Sequence, residues 1–301
     1  MENKNFDVII TGGSYSGLSA AMALGRSLRN VLVIDNGKPC NRQTPHSHNF
    51  VTHDGKTPAE IAKLAKQDVG KYDTVRFYNG TVVKTSKANE GFVIETSTGE
   101  KFYAKKLILA SGVKDIMPDI PGFAECWGIS VIHCPYCHGY EVKNEITGIL
   151  SNGDMAYEFS KLIFNLTKNL TLFTNGKAVL SDEQLEKLKN NNIILNEDEI
   201  KEVKHENGFI QKIIFKNGKE VPLQALYAKI PFEQNINVSD DLGCELTEQG
   251  FIKVDIMQKT TVSGLFACGD NVTMMRSVAN AVAQGNFAGA MVNKELSDDE
   301  F

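Results

Sequence analysis

Near the start of the chain, Phe6 to Thr11 is a short run of apolar and β-branched residues that leads straight into a glycine-rich turn. Leu18 to Leu28, rich in Ala, Leu and Met, has the make-up of a helix, and Asn30 to Ile34 is again continuously apolar up to Asp35. Strands that are apolar throughout, rather than alternating, belong to parallel sheets covered on both faces, so this order predicts a βαβ unit. Thr57-Pro58-Ala59-Glu60 predicts a helix start, with a Thr cap, Pro in the first turn and Glu three residues after the cap. From Thr74 to Tyr103 the period becomes two, with turns near Asn79-Gly80 and Thr98-Gly99. Lys106 to Leu109 reads as a further buried strand, closed by Ala110-Ser111-Gly112.

Pro118 and Pro121-Gly122 then break the pattern, and a domain boundary is expected near residue 116. A second unit of the same plan follows: a strand over Gly148 to Leu150, a turn Ser151-Asn152-Gly153, a helix from Met155 to Leu166 and a strand over Leu170 to Phe173. Ser181-Asp182-Glu183-Gln184 has the residues of a capping box, and Asn207-Gly208 and Asn217-Gly218 predict hairpin turns. The chain leaves this unit between Pro231 and Val238. A last strand, Gly264 to Ala267, precedes Gly269-Asp270, and a helix over Ser277 to Leu296 follows. Two units of one plan suggest an internal duplication, the second inserted into the first.

A chain of 301 residues has room for two ordinary domains, and 42% hydrophobic with 23% charged residues is close to the globular average. The net charge of −5 gives no excess of basic residues for nucleic acid or an anionic membrane. No apolar run reaches the roughly 18 residues of a membrane span. The N-terminal residues run into the first strand without a signal-peptide core, so a cytoplasmic location is expected. Of six cysteines, Cys40, Cys126, Cys244 and Cys268 stand singly and read as small buried hydrophobes. Cys134 and Cys137 are the one close pair.

Gly12-Gly13-Ser14-Tyr15-Ser16-Gly17 lies where a dinucleotide-binding turn belongs, between strand and helix. Gly12 suits the tight turn and Gly17 the close helix–strand approach, while Ser14 stands at the second position, where glycine is usual. Asp35 ends the next strand about 20 residues on, where an acid takes ribose hydroxyls. In Cys134-Pro135-Tyr136-Cys137 two sulfurs are spaced to close a small disulfide ring. In a reducing compartment such a pair is catalytic or metal-binding. His133 and His138 adjoin it, so zinc is an alternative, but no second Cys-x-x-Cys supplies the remaining ligands.

The run Thr261-Val-Ser-Gly264-Leu-Phe-Ala267-Cys268-Gly269-Asp270, together with Ala110-Ser111-Gly112, resembles the FAD-dependent pyridine-nucleotide disulfide oxidoreductases. The resemblance implies FAD as cofactor, Asp270 on the ribityl chain, and Gly269, Arg276, Ser277 and Val278 as further flavin contacts. The Cys-x-x-Cys in the second domain resembles the low-molecular-weight thioredoxin reductases, which implies Cys134 as the interchange thiol and Cys137 as the flavin-proximal one. Those reductases follow the second cysteine with Asp. This chain has His138, and Cys-x-x-Cys-His-Gly-Tyr-Glu resembles the related flavin dithiol oxidases, which close disulfides in small molecules with oxygen. An imidazole titrates near neutrality and can take a thiol proton, so His138 is the expected base, with His133 as the alternative. His46, His48 and His53 follow Arg42 in the first domain. By resemblance one of them serves as a second acid/base or hydrogen-bonds the flavin; otherwise they are ordinary polar loop residues.

The resemblance breaks at the second nucleotide turn. The family's Gly-x-Gly-x-x-Ala is Ser151-Asn-Gly153-Asp-Met-Ala156 here, and its basic His-Arg-Arg is Thr174-Asn175-Gly176, with only Lys177 nearby. Tight NADPH binding is therefore not expected, since an arginine fork on the 2′-phosphate is missing. The expected fold class is α/β: two Rossmann-like, three-layer ββα nucleotide-binding domains. An FAD-binding domain covers 1–115 and 237–301, and a degenerate pyridine-nucleotide domain over 116–236 carries the Cys-x-x-Cys. The expected activity is thiol–disulfide exchange coupled to FAD. One version is a dithiol oxidase using oxygen or another acceptor. Another is a reductase with a non-nicotinamide donor, such as ferredoxin, and a thioredoxin-like partner. A conventional NADPH-dependent thioredoxin reductase and an FAD-binding redox sensor are the alternatives. The resemblance also implies a homodimer.

Overall fold

The structure, a computed structural model, describes residues 4–236 and 241–301. The chain forms two compact units: Met1–Arg42, Phe50–Lys114 and Phe232–Phe301 make one, and Gln43–Asn49 with Asp115–Pro231 make the other. The expected return to the first domain at residue 237 lies outside the described residues.

The first unit is built on β1 (Asn5–Thr11), β2 (Val31–Asp35), β3 (Val75–Asn79), β6 (Lys101–Leu109) and β17 (Leu265–Ala267), all parallel. β4 (Val82–Ala88) and β5 (Gly91–Thr96) continue the sheet antiparallel, in the order β3-β2-β1-β6-β5-β4 with β17 also on β6. Alternation along the strands sends Val8, Ile10, Val31, Val33 and Ile108 to one face and Ile9, Leu32, Ile34, Leu107 and Leu109 to the other. Both faces are covered, which is why the sequence of these strands is apolar without interruption. On the first face lie α1 (Tyr15–Arg26) and α7 (Val278–Glu300). They pack closely because glycine stands at the crossing: a Cβ at Gly285 would lie 2.0 Å from the Ser16 carbonyl oxygen, and one at Gly289 2.6 Å from that of Ala20. α2 (Pro58–Val69) carries the expected capping box between Thr57 and Glu60. β7 (Val113–Asp115) and β16 (Phe232–Gln234), where the chain leaves and returns, pair with each other.

The second unit has a parallel sheet of β8 (Val131–Ile132), β9 (Thr147–Leu150), β10 (Leu170–Phe173), β11 (Ile194–Asn196) and β15 (Ala225–Ala228), in the order β11-β10-β9-β15-β8. One face packs on α5 (Gly153–Ile163) and α6 (Asp182–Asn190) through Ala156, Ile163 and Leu188. The other meets an antiparallel sheet of β12 (Ile200–Glu206), β13 (Phe209–Phe215) and β14 (Glu220–Pro222) through Ile200, Val203, Ile213 and Phe215. β12 and β13 turn at Asn207-Gly208, both with positive φ (52° and 84°), as a two-residue hairpin requires. Two short helices, α3 (Phe123–Cys126) and α4 (Pro135–His138), flank β8. The fold is thus a mixed α/β arrangement with two Rossmann-like sheets.

Helix ends differ from the sequence reading by a few residues. α1 starts at Tyr15 rather than Leu18, because Gly12, at φ 103°, turns the chain early enough for Ser14 to sit at the N-cap. It stops at Arg26, two residues before Leu28 adopts φ 58°. Segment 43–49 groups with the second unit, not with the residues around it in sequence; a Cβ at Gly128 would lie 3.1 Å from Thr44 Oγ1. No helix among the described residues is long and apolar enough to cross a membrane.

The α1–α7 crossing leaves no room at Gly285. Gly285→Ala is expected to lower stability by about 1–3 kcal/mol through overpacking, read as a lower thermal midpoint by circular dichroism. An unchanged midpoint would mean that the two helices separate without cost.

Candidate functional site

In the first unit, three glycines hold the turn between β1 and α1. Gly12 takes φ 103°, and a Cβ there would lie 2.3 Å from the Ala110 carbonyl oxygen. A Cβ at Gly17 would lie 1.8 Å from the Gly12 carbonyl oxygen, so any side chain would drive the helix off the strand. Ser14 is the N-cap of α1, yet its side chain makes no capping bond. Its hydroxyl therefore does not close the helix N-terminus, where backbone N–H groups favour an anion. Asp35 is oriented by two backbone donors, Gly13 N–H to Oδ1 and Gly37 N–H to Oδ2, both at 3.0 Å. Each oxygen keeps a lone pair for a further donor such as a ribose hydroxyl.

Gly269, at φ 94°, brings the end of β17 against this turn: a Cβ there would lie 2.5 Å from Ser16 Oγ. Gly269 N–H donates to Gln284 Oε1 at 2.8 Å. Asp270 follows, 3.5 Å from Arg276 Nε and 3.8 Å from the exposed Cys40 thiol. Ser277 caps α7 by accepting from Asn280 N–H, and Val278 packs beside Tyr15 and Ala281. Gly12, Ser14, Gly17, Asp35, Gly269 and Asp270 are thus gathered at the carboxyl ends of parallel strands, where α/β sheets hold ligands. The open helix end, the oriented acid and the side-chain-free turn fit a dinucleotide. Cys126, Cys244 and Cys268 are buried, as expected of small hydrophobes, and burial pushes the Cys268 thiol up to about 12; Cys40 is the exposed exception.

In the second unit, β8 runs out into His133 and Cys134. Cys134 is the extended N-cap of α4 (φ −124°, ψ 113°), and Pro135 pre-sets the first turn. The N–H groups of Cys137 and His138 both donate to the Cys134 carbonyl oxygen at 3.2 Å. Cys134 and Cys137 are therefore three residues apart on one tight turn, where side chains become neighbours. No group of three or more His, Cys, Asp or Glu side chains among the described residues is arranged to hold a metal ion.

Segment 43–49 brings histidines to this turn. The rings of His48 and His138 lie 6.1 Å apart, edge to face, and those of His46 and His48 6.3 Å apart. His48 Nδ1 is 3.5 Å from Glu141 Oε1. Burial, and secondarily His48, hold the His138 imidazole below its ordinary range, while Glu141 pulls it the other way. A neutral imidazole next to a thiol pair can accept a thiol proton. His133 instead faces the ring of Trp127 at 6.2 Å. His53 belongs to the first unit.

The turn after β9 is built differently from the one after β1. The Asn152 side-chain oxygen accepts from both Gly153 N–H and Val179 N–H at 2.8 Å, and its Nδ2 donates to the Lys177 carbonyl at 2.9 Å. The start of α5 is thus capped by its own loop. Thr174 is buried and donates to the Gly176 carbonyl at 2.6 Å; Asn175 Oδ1 accepts from Ile200 N–H at 2.7 Å. Glu141 and Asn152 went unassigned in the sequence reading. Glu141, three residues past His138, carried a visible spacing; the Asn152 cap did not.

The sequence profile of the family described as pyridine nucleotide-disulphide oxidoreductase matches residues 6–285. The chain is 35% identical over 304 residues to a thioredoxin reductase, tcpT, of Claviceps purpurea, covering 97% of this chain and 95% of that one. It is similar to an oxidoreductase of known structure from Agrobacterium tumefaciens, with 35% identity, TM-score 0.91 and coverage of 98% and 99%. The thioredoxin reductase of Streptococcus pyogenes shares the fold at 21% identity and TM-score 0.90, over 99% of this chain and 100% of that one.

The depressed His138 imidazole gives a pH expectation. Because its folded value lies below the ordinary 6.5, it stays neutral as pH falls through that point and charges only beneath it. Protonation is then resisted by the fold, so this group removes stability as pH drops below its unfolded value. Glu141→Gln takes away the upward pull and is expected to lower the value further, measured by NMR titration of the ring. A rise on Glu141→Gln would contradict the arrangement.

Proposed function

The chain belongs to the pyridine nucleotide-disulphide oxidoreductase family, and from that premise we propose that it moves electrons between FAD and a dithiol or disulfide substrate through Cys134 and Cys137, without tight use of NADPH. It is a thioredoxin reductase-like, FAD-dependent disulfide oxidoreductase. The family is one of enzymes, so a sensor without turnover is set aside. Members of the family are flavoproteins, and the cofactor is FAD, which takes up or gives back the electron pair exchanged at the thiols.

In this reading the discontinuous unit is the FAD-binding domain. Gly12, Ser14 and Gly17 would receive the pyrophosphate and Asp35 the ribose, and Gly269, Asp270, Arg276, Ser277 and Val278 would hold the flavin portion. The inserted unit carries the exchange chemistry. A substrate thiolate attacks the Cys134 sulfur of a Cys134–Cys137 disulfide; a mixed disulfide forms, and Cys137 leaves with the electron pair as a thiolate. The second substrate thiol gives its proton to His138 and attacks the substrate sulfur held on Cys134. The product disulfide closes and Cys134 leaves as a thiolate. His138 suits this role because burial keeps it neutral and able to accept a proton.

The observation that carries the nicotinamide part is Asn152. Its side chain occupies the N–H groups of Gly153 and Val179, and buried Thr174 stands where a basic clamp belongs. A small-molecule dithiol with oxygen or another acceptor is the favoured substrate, and family resemblance supports a homodimer. The relative's designation as a thioredoxin reductase favours a second reading, in which a thioredoxin-like protein disulfide receives the electrons from FAD reduced by NADPH or by a non-nicotinamide donor.

Steady-state turnover separates the two. Oxygen uptake with a small dithiol is expected to exceed turnover with NADPH plus thioredoxin, and the reverse order would establish the second reading. His138→Ala is expected to slow dithiol oxidation by about a hundredfold with FAD content intact; an unchanged rate moves the base elsewhere. Asp270→Ala is expected to lower the bound FAD of the purified protein, measured by its visible absorbance, and full retention would exclude Asp270 from the flavin site.

A further inference from the structure

Tyr227 is the one aromatic side chain of the parallel sheet in the second unit that ends in a polar group, and it is fully buried. It lies on β15, in register with Ile132 of β8 on one side and Ile149 of β9 on the other. In a parallel pair, partnered residues project to the same face, and Ile132, Ile149 and Tyr227 share one core cluster. Two residues beyond Ile132 comes Cys134, still in extended conformation. Period-two alternation therefore sends the Cys134 side chain to the face that carries Tyr227.

The other end of the Cys-x-x-Cys turn confirms the approach. Gly139 closes α4, and a Cβ there would lie 3.1 Å from the Tyr227 hydroxyl. The ring is held by Phe159 of α5 at 5.9 Å, edge to face. The hydroxyl has no hydrogen-bond partner among the described residues. A buried hydroxyl left so is costly to the fold and calls for an explanation.

We propose that Tyr227 is the hydrogen-bond donor that stabilises Cys134 when it carries negative charge. The proposal rests on Cys134 and Cys137 being the exchanging pair, and holds for either direction of electron flow. When the mixed disulfide is resolved, the sulfur–sulfur bond to Cys134 breaks and the electron pair stays on Cys134. The phenol O–H then donates to that thiolate and keeps its own proton. Contacts of this kind are often long in the resting enzyme and tighten when charge develops. The titratable groups acting on the phenol are Cys134 and Glu141; with burial, both push its ionisation upward, so it stays protonated and able to donate. His133, Cys137 and His138 flank Cys134 on its own turn, and His48 faces His138. The partners on β8 and β9 are apolar, and Glu158 and Lys161 of α5 pair with each other.

The test is the pH profile of iodoacetamide alkylation of Cys134 in the reduced, FAD-containing enzyme, resolved by peptide mass spectrometry. Since only the thiolate reacts, Tyr227→Phe is expected to move the profile up by about one pH unit, with alkylation near neutrality about tenfold slower. Its thermal midpoint should be unchanged or higher, because a buried unpartnered hydroxyl is removed. Incorporating 3-fluorotyrosine, a stronger donor, should move the parent profile the opposite way and leave that of Tyr227→Phe in place. Superimposable profiles of parent and Tyr227→Phe overturn the proposal while leaving the pair intact. A parent Cys134 that alkylates no faster than an ordinary thiol, and does not exchange with a dithiol, removes the pair itself and the proposal with it.

Discussion

Parallel pairing of β15 between β8 and β9 is the constraint on which the chemistry of the inserted unit depends. Tyr227 is held in register with Ile132 and Ile149 at once. The strand on one side therefore delivers Cys134 two residues past Ile132. The strand on the other delivers the Asn152 turn three residues past Ile149. Both turns leave the sheet at carboxyl ends, where parallel sheets expose backbone groups and hold ligands. A slip of one residue in the β8–β15 pairing would put Cys134 on the face opposite Tyr227.

The two units use one plan to opposite ends. Each has a strand, a tight turn and a helix whose first N–H groups point outward. After β1, Ser14 makes no capping bond and Asp35 is turned toward the helix start by two backbone donors. After β9, Asn152 accepts from one helix N–H, that of Gly153, and ties the neighbouring loop to the helix start. A capped helix start is more stable and less able to bind an anion, since its donors are already satisfied. The inserted unit keeps the architecture, and in the proposed function its chemistry sits on the neighbouring strand end.

Much of this was legible in the sequence. Continuous apolar runs marked β1, β2 and β10 because parallel strands are buried on both faces, and Thr57 and Ser181 announced their helices through capping boxes that the structure contains. Gly12 and Gly17 declared a close approach because no Cβ fits there. What sequence could not yield were contacts made by chain reversal. Segment 43–49 sits among first-unit residues in order, yet His48 packs against His138 and Glu141 of the other unit's fold. The sequence pattern singled out neither β15 nor Tyr227. Only register places Tyr227 beside the strand that leads into Cys134, with its hydroxyl near Gly139, across a separation no local pattern encodes.

In the proposed function the thiol pair, not a nicotinamide, is the effective route for electrons to and from the flavin. The most direct test follows the visible flavin spectrum anaerobically by stopped flow, in separate shots with dithiothreitol and with NADPH. Rapid bleaching by the dithiol, lost in Cys134→Ser, is expected, with very slow bleaching by NADPH. Fast, saturable bleaching at micromolar NADPH would contradict it.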